Sequence, residues 1–125
     1  MRWPPASVRT ARAQGAAPEF AVDPSWPKVP DQWILGQVDG VAVDSRDHVY
    51  VLQRPWSIVN DEKSQNPEAR CCTGAPPVME FDAAGNYVRG WGGPGPGYEW
   101  PMDEHGLHID FKDNVWISSA GGPRL

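Results

Sequence analysis

The sequence has no long hydrophobic run and few basic residues, and each shortage excludes a class of protein. No stretch of about 18 consecutive apolar residues occurs, so a transmembrane helix is excluded and no membrane span is expected. The 11 Lys and Arg residues are scattered among 16 Asp and Glu residues, which leaves a net charge of −5. A surface for nucleic acid needs clustered basic residues, so no nucleic-acid partner is expected. Helical periodicity is also missing, whereas 7 Trp, 14 Pro and 13 Gly indicate a β-rich protein with many loops.

Cysteine is scarce as well, since Cys71 and Cys72 are the only two and they are adjacent. Two neighbouring thiols do not by themselves supply a tetrahedral zinc site, which needs ligands from elsewhere. A disulfide fits an exported protein, and two reduced thiols in a loop are the alternative. Both lie in a polar segment, 55–76, that we interpret as a surface loop between two strands, where function often resides.

An internal repeat is the strongest pattern in the chain. Residues 40–51 read GVAVDSRDHVYV and residues 106–117 read GLHIDFKDNVWI, and the two align without a gap at a period of 66 residues. Each copy has an apolar run, a polar cluster rich in Asp, and a second apolar run. Asp and Asn favour turns through hydrogen bonds to their own backbone, so each copy predicts a β-hairpin. We assign the turn role to Asp44 and Asp110 and expect His48, in the first turn, to be exposed.

A second hairpin is predicted after the first copy, from a strand over 78–82, a turn over 83–86 and a strand over 87–92. The chain should then form four antiparallel strands near 40–45, 48–54, 77–82 and 86–91. Four-stranded sheets repeated around an axis are the blades of a β-propeller. The sequence therefore predicts an all-β fold, a β-propeller fragment of about one and a half four-stranded blades plus an N-terminal arm.

Three segments follow from this pattern. Residues 1–19 are a disordered leader or the remnant of an export signal, because Ala11-Arg12-Ala13 resembles a cleavage site but no apolar core precedes it. The second interpretation predicts a periplasmic or secreted protein. Residues 20–36 form an arm that resembles a ring-closing strand, with no partner expected within this chain. Residues 37–125 are the partial propeller, with a blade at 40–92 and a half blade at 105–118.

A closed propeller needs at least four blades, so we expect the chain to belong to a longer propeller or to a truncated reading frame. A blade and a half on its own would leave a long unpaired strand edge and a small core. We therefore expect marginal stability. The tryptophans at 91, 100 and 116 are predicted to pack between blades, because aromatic side chains bury large areas.

The succession of VAVD, VYV, VMEFD and GNYVRGWG resembles the NHL-repeat six-bladed β-propellers. Within that group the chain is most similar to peptidyl-α-hydroxyglycine α-amidating lyases and their bacterial relatives. The likeness covers about residues 33–118 and is carried by 35–44, 51–54 and 104–117. It implies an exported enzyme that, at full length, uses zinc and calcium to cleave a small peptide substrate. The alternative is a non-catalytic propeller that binds a protein, peptide or carbohydrate.

The resemblance also implies site residues. His105 corresponds to a zinc ligand, the backbone carbonyls of Val41 and Leu107 to calcium ligands, and Arg54 to a catalytic arginine. The chemistry is consistent, since imidazoles from several blades suit zinc, carbonyl oxygens suit calcium, and a guanidinium orients a carboxylate through two hydrogen bonds. The plainer alternatives are a loop histidine for His105 and a cross-strand ion pair for Arg54. His108 is expected beside the channel.

Three positions depart from the lyase pattern. Gln53 stands where the family has His, Pro55 where it has Gly, and Glu104 where it has Pro. The remaining zinc ligands and the catalytic Tyr of the family belong to blades outside this sequence. The chain by itself is therefore expected to be inactive as an enzyme.

Overall fold

A computed structural model describes residues 18–58, 72–101 and 103–121. The predicted leader up to residue 17, Cys71 and most of the predicted loop at 55–76 lie outside these residues. The described chain is all-β and contains one short 3-10 turn, Pro55–Ser57, after the third strand. None of its helices has the length and hydrophobicity needed to cross a membrane. The strands are β1 Trp33–Ile34, β2 Gln37–Val43, β3 Val49–Arg54, β4 Thr73–Gly74, β5 Val78–Phe81, β6 Tyr87–Trp91, β7 Glu104–Ile109 and β8 Val115–Ser119.

The largest sheet contains the four strands that the sequence predicts between residues 40 and 91. Its order is β2-β3-β5-β6, with every neighbouring pair antiparallel, so the chain forms a simple meander. The observed ends lie within three residues of the predicted ones. The two inner strands, β3 and β5, are almost wholly buried because both faces of the sheet are covered.

The two copies of the internal repeat form the same hairpin. In β2–β3 and in β7–β8 the turn contains an Asp in the left-handed region, Asp47 with φ 62° and Asp113 with φ 61°. In the first turn Asp44 Oδ1 accepts the backbone N–H of Arg46 and of His48, both at 2.9 Å. Asp110 Oδ1 accepts the equivalent pair at 2.9 and 3.0 Å. The predicted turn role of both aspartates is confirmed.

Each hairpin also has a β-bulge at the same place in the repeat. The pairing of β2 with β3 shifts between Val38 and Gly40, and the pairing of β7 with β8 shifts between Glu104 and Gly106. The additional residue is Asp39 in the first copy and His105 in the second. Bulges alter the direction of a side chain, so the repeat positions these two residues alike.

The two hairpins lie side by side, with β2 against β7. A Cβ on Gly40 would lie only 2.8 Å from the Cβ of Leu107, so the strands approach closely because residue 40 has no side chain. The turns are joined as well. Ser45 donates its backbone N–H and its hydroxyl to the carboxylate of Asp113, at 2.9 and 2.6 Å.

Two apolar clusters cover the faces of the four-stranded sheet, since side chains alternate along each strand. One face carries Tyr50, Leu52 and Val78 and packs against β7 and β8. Trp91 and Trp100 both pack here, between the sheet and the second hairpin, and their place between propeller blades stays a prediction. The prediction for Trp116 is wrong in the described part of the chain, because its side chain is 61% exposed and its indole donates to Asp110.

The opposite face of the sheet is covered by the N-terminal arm. Its buried residues Val51, Met79 and Phe81 contact Trp26 and Trp33 from the arm. The prediction that the arm lacks a partner within the chain is wrong. β1 pairs in parallel with β4, and Lys28 forms a β-bridge with Asn86. The arm docks because its apolar side chains cover a face that would otherwise be in water.

The single described cysteine is part of a disulfide. Cys72 is buried and disulfide-bonded beside the start of β4. Of the two alternatives at this position, the structure agrees with the oxidised one. The bond lies next to the strand that pairs with the arm.

Candidate functional site: the Arg54 cluster and its cleft

Arg54, the predicted catalytic residue, lies at the end of β3 and joins three strands. Its side chain is only 14% exposed. The Nε–H donates to the backbone carbonyl of Glu104 at 2.7 Å, and Nε lies 2.5 Å from Asp39 Oδ2 and 3.7 Å from Asp103 Oδ1. The guanidinium carbon lies 5.5 Å from the centre of the Trp56 ring. Arg54 therefore connects β3 to the bulged ends of β2 and β7.

Asp39 is close to Arg54 without receiving its hydrogen bond. The single Nε–H points at the Glu104 carbonyl, so the 2.5 Å approach to Asp39 Oδ2 is a charge contact. That oxygen is buried and has no hydrogen-bond donor among the described residues. A buried carboxylate oxygen without a donor is energetically unfavourable, and the adjacent guanidinium charge offsets part of the penalty.

Glu104 is the most buried acid of the cluster, with 3% of the residue exposed. Its Oε1 accepts the indole N–H of Trp100 at 2.6 Å, and its Oε2 accepts the indole N–H of Trp56 at 3.0 Å. Both donors are neutral. In the described part of the chain no basic side chain lies within ion-pair distance of this carboxylate. Glu104 therefore orients two tryptophans while its own charge lacks a direct counter-ion.

A cleft of about 960 Å³ opens beside these residues. Trp33, Trp56 and Trp100 form aromatic parts of its wall, and five prolines form much of the rest. The charged residues that line it are Asp103 and Glu104, both acidic. Ligand sites in proteins are concave, mostly apolar and carry a few polar groups, and the cleft has this character.

His105, the predicted zinc ligand, is exposed at its bulge next to Glu104. No group of three metal-binding side chains among the described residues includes it. One imidazole does not make a zinc site, which takes three or four ligands, so the described residues do not fit zinc by themselves. His108 is also exposed on β7. The structure brings neither histidine to Arg54 through a hydrogen bond.

Val41 and Leu107, the predicted calcium ligands, lie on β2 and β7, which are neighbours at Gly40. The structure thus brings together the two strands whose carbonyls the resemblance assigns to calcium. The role of those carbonyls stays a prediction.

A second cluster joins Asp44, His48 and Glu80, whose ligand atoms all lie within 4.8 Å of one another. Glu80 is buried, and its Oε1 lies 2.7 Å from His48 Nδ1. The prediction that His48 is exposed is therefore wrong. Its ring turns inward because a buried carboxylate on β5 faces the turn, which the local sequence of the turn does not reveal.

Two arginines already neutralise this second cluster. Arg46 contacts both Asp44 and Glu80, at 2.7 and 3.2 Å, and Arg89 contacts Glu80 at 2.5 Å. Burial would raise the pKa of Asp44, but the hydrogen bonds from Arg46 and from backbone N–H groups outweigh it and lower the pKa to about 2. A divalent cation would have to compete with two guanidinium groups for two carboxylates. We therefore assign this cluster to structure.

Gln53, one of the departures from the lyase pattern, also has a structural role. It is fully buried. Its Oε1 accepts the backbone N–H of Gly36 at 2.8 Å, and its Nε2 donates to the carbonyls of Ala75 and Pro76 at 2.7 and 3.0 Å. Gln53 thus holds the arm and the segment before β5 against β3.

Most of the acidic and aromatic partners of Arg54 were not predicted from the sequence. Glu104 was noted only as a departure from the lyase pattern, and Asp39 was not singled out. A signal was present in the sequence. The bulge residue of the first copy, Asp39, and the residue before the bulge in the second copy, Glu104, bring acidic side chains to one end of the sheet. Comparison with protein-family models and with curated proteins finds no match for this chain. The conclusion at the level of fold is an all-β protein built on a duplicated hairpin.

Proposed function

We propose that the chain is part of an NHL-type β-propeller whose task is to bind a peptide in the cleft beside Arg54. Support for the propeller comes from the four-stranded meander, the repeated hairpin and the close contact of β2 with β7. In a propeller, the first strands of successive blades are neighbours in this way. A non-catalytic binding role was the alternative from the sequence, and the surroundings of Arg54 favour it.

The observation that carries this proposal is the set of partners around Arg54, which consists of one backbone carbonyl and two acidic side chains. An arginine that orients a substrate carboxylate attracts it by charge as well as by paired N–H donors, and acidic neighbours weaken that attraction. Here Nε–H is used by Glu104, and Asp39 and Asp103 surround the guanidinium with negative charge. A substrate carboxylate would be repelled by those two acids, so Arg54 supports the wall of the cleft.

A peptide array tests the binding role. The labelled chain is expected to bind a subset of short peptides, and Trp56→Ala is expected to lose that subset because Trp56 lines the cleft. Val88→Ala is a matched control, since it removes an exposed apolar side chain from β6 that does not line the cleft. Binding that is unchanged in Trp56→Ala, or absent altogether, would contradict a peptide site in this cleft.

One observation favours the lyase as a second candidate. His105 is exposed, lies at a bulge, and adjoins the residue whose carbonyl holds Arg54. Zinc would polarise the substrate hydroxyl, as it does for bound water and alcohols in other sites. If this candidate is right, glyoxylate release from a peptidyl-α-hydroxyglycine in zinc and calcium will require His105 and not His108. Because the chain by itself is expected to be inactive, the assay uses the protein of the full parent reading frame. Equal loss in His105→Ala and His108→Ala of that protein, or no release by its unsubstituted form, would speak against the lyase.

A further inference from the structure

We propose that the cleft recognises an arginine side chain presented by an extended peptide. The inference rests on the proposed peptide-binding role and adds the chemical class of the ligand. The guanidinium would approach Asp103 and the Glu104 side, and the stem would lie against the indole rings of Trp56 and Trp100.

The acidic side chains at the cleft outnumber the described basic side chains that contact them. Asp39, Asp103 and Glu104 contribute three carboxylates at this end of the sheet, and among the described residues Arg54 is the one basic side chain in ion-pair contact with any of them. Glu104 is buried, and the side-chain donors that the described residues offer to its carboxylate are both neutral. An uncompensated buried charge is unfavourable, so a cationic ligand at the cleft would gain attraction that a neutral ligand lacks.

The aromatic rings in the wall of the cleft are held in fixed orientations. Each indole N–H of Trp56 and Trp100 is bonded to one oxygen of Glu104, so both rings are fixed before a ligand arrives. Trp56 remains 55% exposed. Arg54 already lies over the Trp56 ring, which shows that guanidinium stacking is compatible with this wall. A preorganised aromatic surface beside carboxylates attracts a cation through its ring faces.

Much of the cleft wall lacks backbone hydrogen-bond donors. Proline has no backbone N–H, and Pro55, Pro76, Pro77, Pro94 and Pro101 all line the cleft. Such a wall offers carbonyl and carboxylate acceptors and suits a ligand that is rich in donors. Arginine carries five N–H donors on a planar group that also stacks on aromatic rings, whereas lysine is a compact point charge. The wall therefore favours arginine over lysine.

The test uses a fluorescein-labelled peptide, acetyl-Ala-Pro-Arg-Pro-Ala-amide, and measures anisotropy against the concentration of the whole chain. A second peptide carries citrulline, which keeps the shape of arginine without its charge, and a third carries lysine. We expect citrulline to bind about tenfold more weakly than arginine, with lysine in between. Affinity for the arginine peptide should fall as salt is raised.

Variants locate the effect. Asp103→Asn removes a charge from the cleft wall and should weaken the arginine peptide several-fold while leaving the citrulline peptide unchanged. Asp31→Asn removes the same charge from an exposed turn of the arm and should change neither. Near-ultraviolet circular dichroism of each variant checks that the tryptophans keep their packing.

The outcomes separate this inference from the proposed function. Equal binding of the arginine and citrulline peptides, lost in Trp56→Ala, would overturn arginine recognition and leave the cleft as a peptide site. Failure of all three peptides to bind would overturn arginine recognition, and the peptide array then decides the proposed function independently. Selective loss in Asp103→Asn would support both.

Discussion

At the scale of the residue, equivalent aspartates in the two repeat copies divide their oxygens between two tasks. In both Asp44 and Asp110, Oδ1 accepts the backbone hydrogen bonds that form the turn. The second oxygen has partners that differ between copies. Asp44 Oδ2 accepts from Arg46 and Tyr50, and Asp110 Oδ2 accepts from Asn114 and Trp116. The turn thus tolerates varied neighbours as long as one carboxylate oxygen stays with the backbone.

Replacing Asp44 by Asn should lower stability in a pH-dependent way. Because the pKa of Asp44 falls from 3.8 to about 2 on folding, its stabilisation is complete above about pH 4 and is lost as the pH falls towards 2. We expect Asp44→Asn to reduce the free energy of unfolding by roughly 1–2 kcal/mol at pH 7, with the difference shrinking below pH 4. Urea unfolding from pH 7 to pH 2 measures this. A difference that stays constant across the range would contradict the ion-pair account.

At the scale of the element, the fold depends on how closely β2 can approach β7. Gly40 faces the backbone and Cβ of Leu107, and the turns of the same two hairpins are tied through Ser45 and Asp113. Close backbone packing at one end of the contact and hydrogen bonds at the other therefore fix one hairpin against the other.

A methyl group at position 40 should separate these strands. In Gly40→Ala the new Cβ would lie 2.8 Å from Leu107 Cβ and 3.1 Å from its backbone nitrogen, so a strand must shift. We expect a loss of about 1–3 kcal/mol in the free energy of unfolding. Gly121→Ala, whose added methyl group would meet no described atom within 4 Å, should stay within about 0.5 kcal/mol of the original chain. Similar denaturation midpoints for the two variants would refute close packing at Gly40.

The two bulges predict unequal tolerance to exchange of their residues. His105 is exposed, so His105→Asp should leave stability within about 0.5 kcal/mol. Asp39 faces Arg54, so Asp39→His would remove the nearest acidic partner of a largely buried guanidinium and should cost several kcal/mol. Thermal unfolding of both variants measures the contrast. If Asp39→His reduced the free energy of unfolding by no more than His105→Asp does, the Asp39–Arg54 contact would contribute little.

The sequence predicted these hairpins well because their signals are local. Alternating apolar residues and an Asp-rich turn lie within twelve residues, and tertiary contacts reinforce the same pairing. The bulges, the inward turn of His48 and the acidic partners of Arg54 were not predicted. Glu80 meets His48 from 32 positions away, and Glu104 meets Arg54 from 50 positions away. No local pattern encodes such contacts, because they depend on how separate strands pack.

At the scale of the whole molecule, a four-stranded sheet lies between the arm on one face and the second hairpin on the other. The sheet is thereby covered on both sides. The second hairpin, in contrast, gains no third strand from the described residues. Among the described residues β8 pairs with β7 alone, and its other edge carries free backbone groups next to the exposed Trp116. An uncovered strand edge of this kind promotes pairing between chains.

We therefore expect concentration-dependent association through β8. Trp116→Lys places a charge on this edge and should shift sedimentation-velocity profiles towards the monomer. Phe20→Lys is a suitable control, because it removes another exposed aromatic residue, from a part of the arm that lies outside any strand. Equal effects of the two substitutions would point to general surface hydrophobicity, and association unaffected by Trp116→Lys would reject the edge.

The pairing of the arm with β4 also has a consequence for the order of events during folding. Residues 33 and 34 meet partners 40 positions later in the chain, so ribosomal synthesis must deliver residue 74 before this contact can form. Until then Trp26 and Trp33 have no sheet to cover and remain in water. The hairpins can form from short-range contacts within microseconds, and the arm must follow them. The newly made chain would pass through a state whose sheet is built while the tryptophans of the arm, Trp26 and Trp33, are still accessible to chaperones.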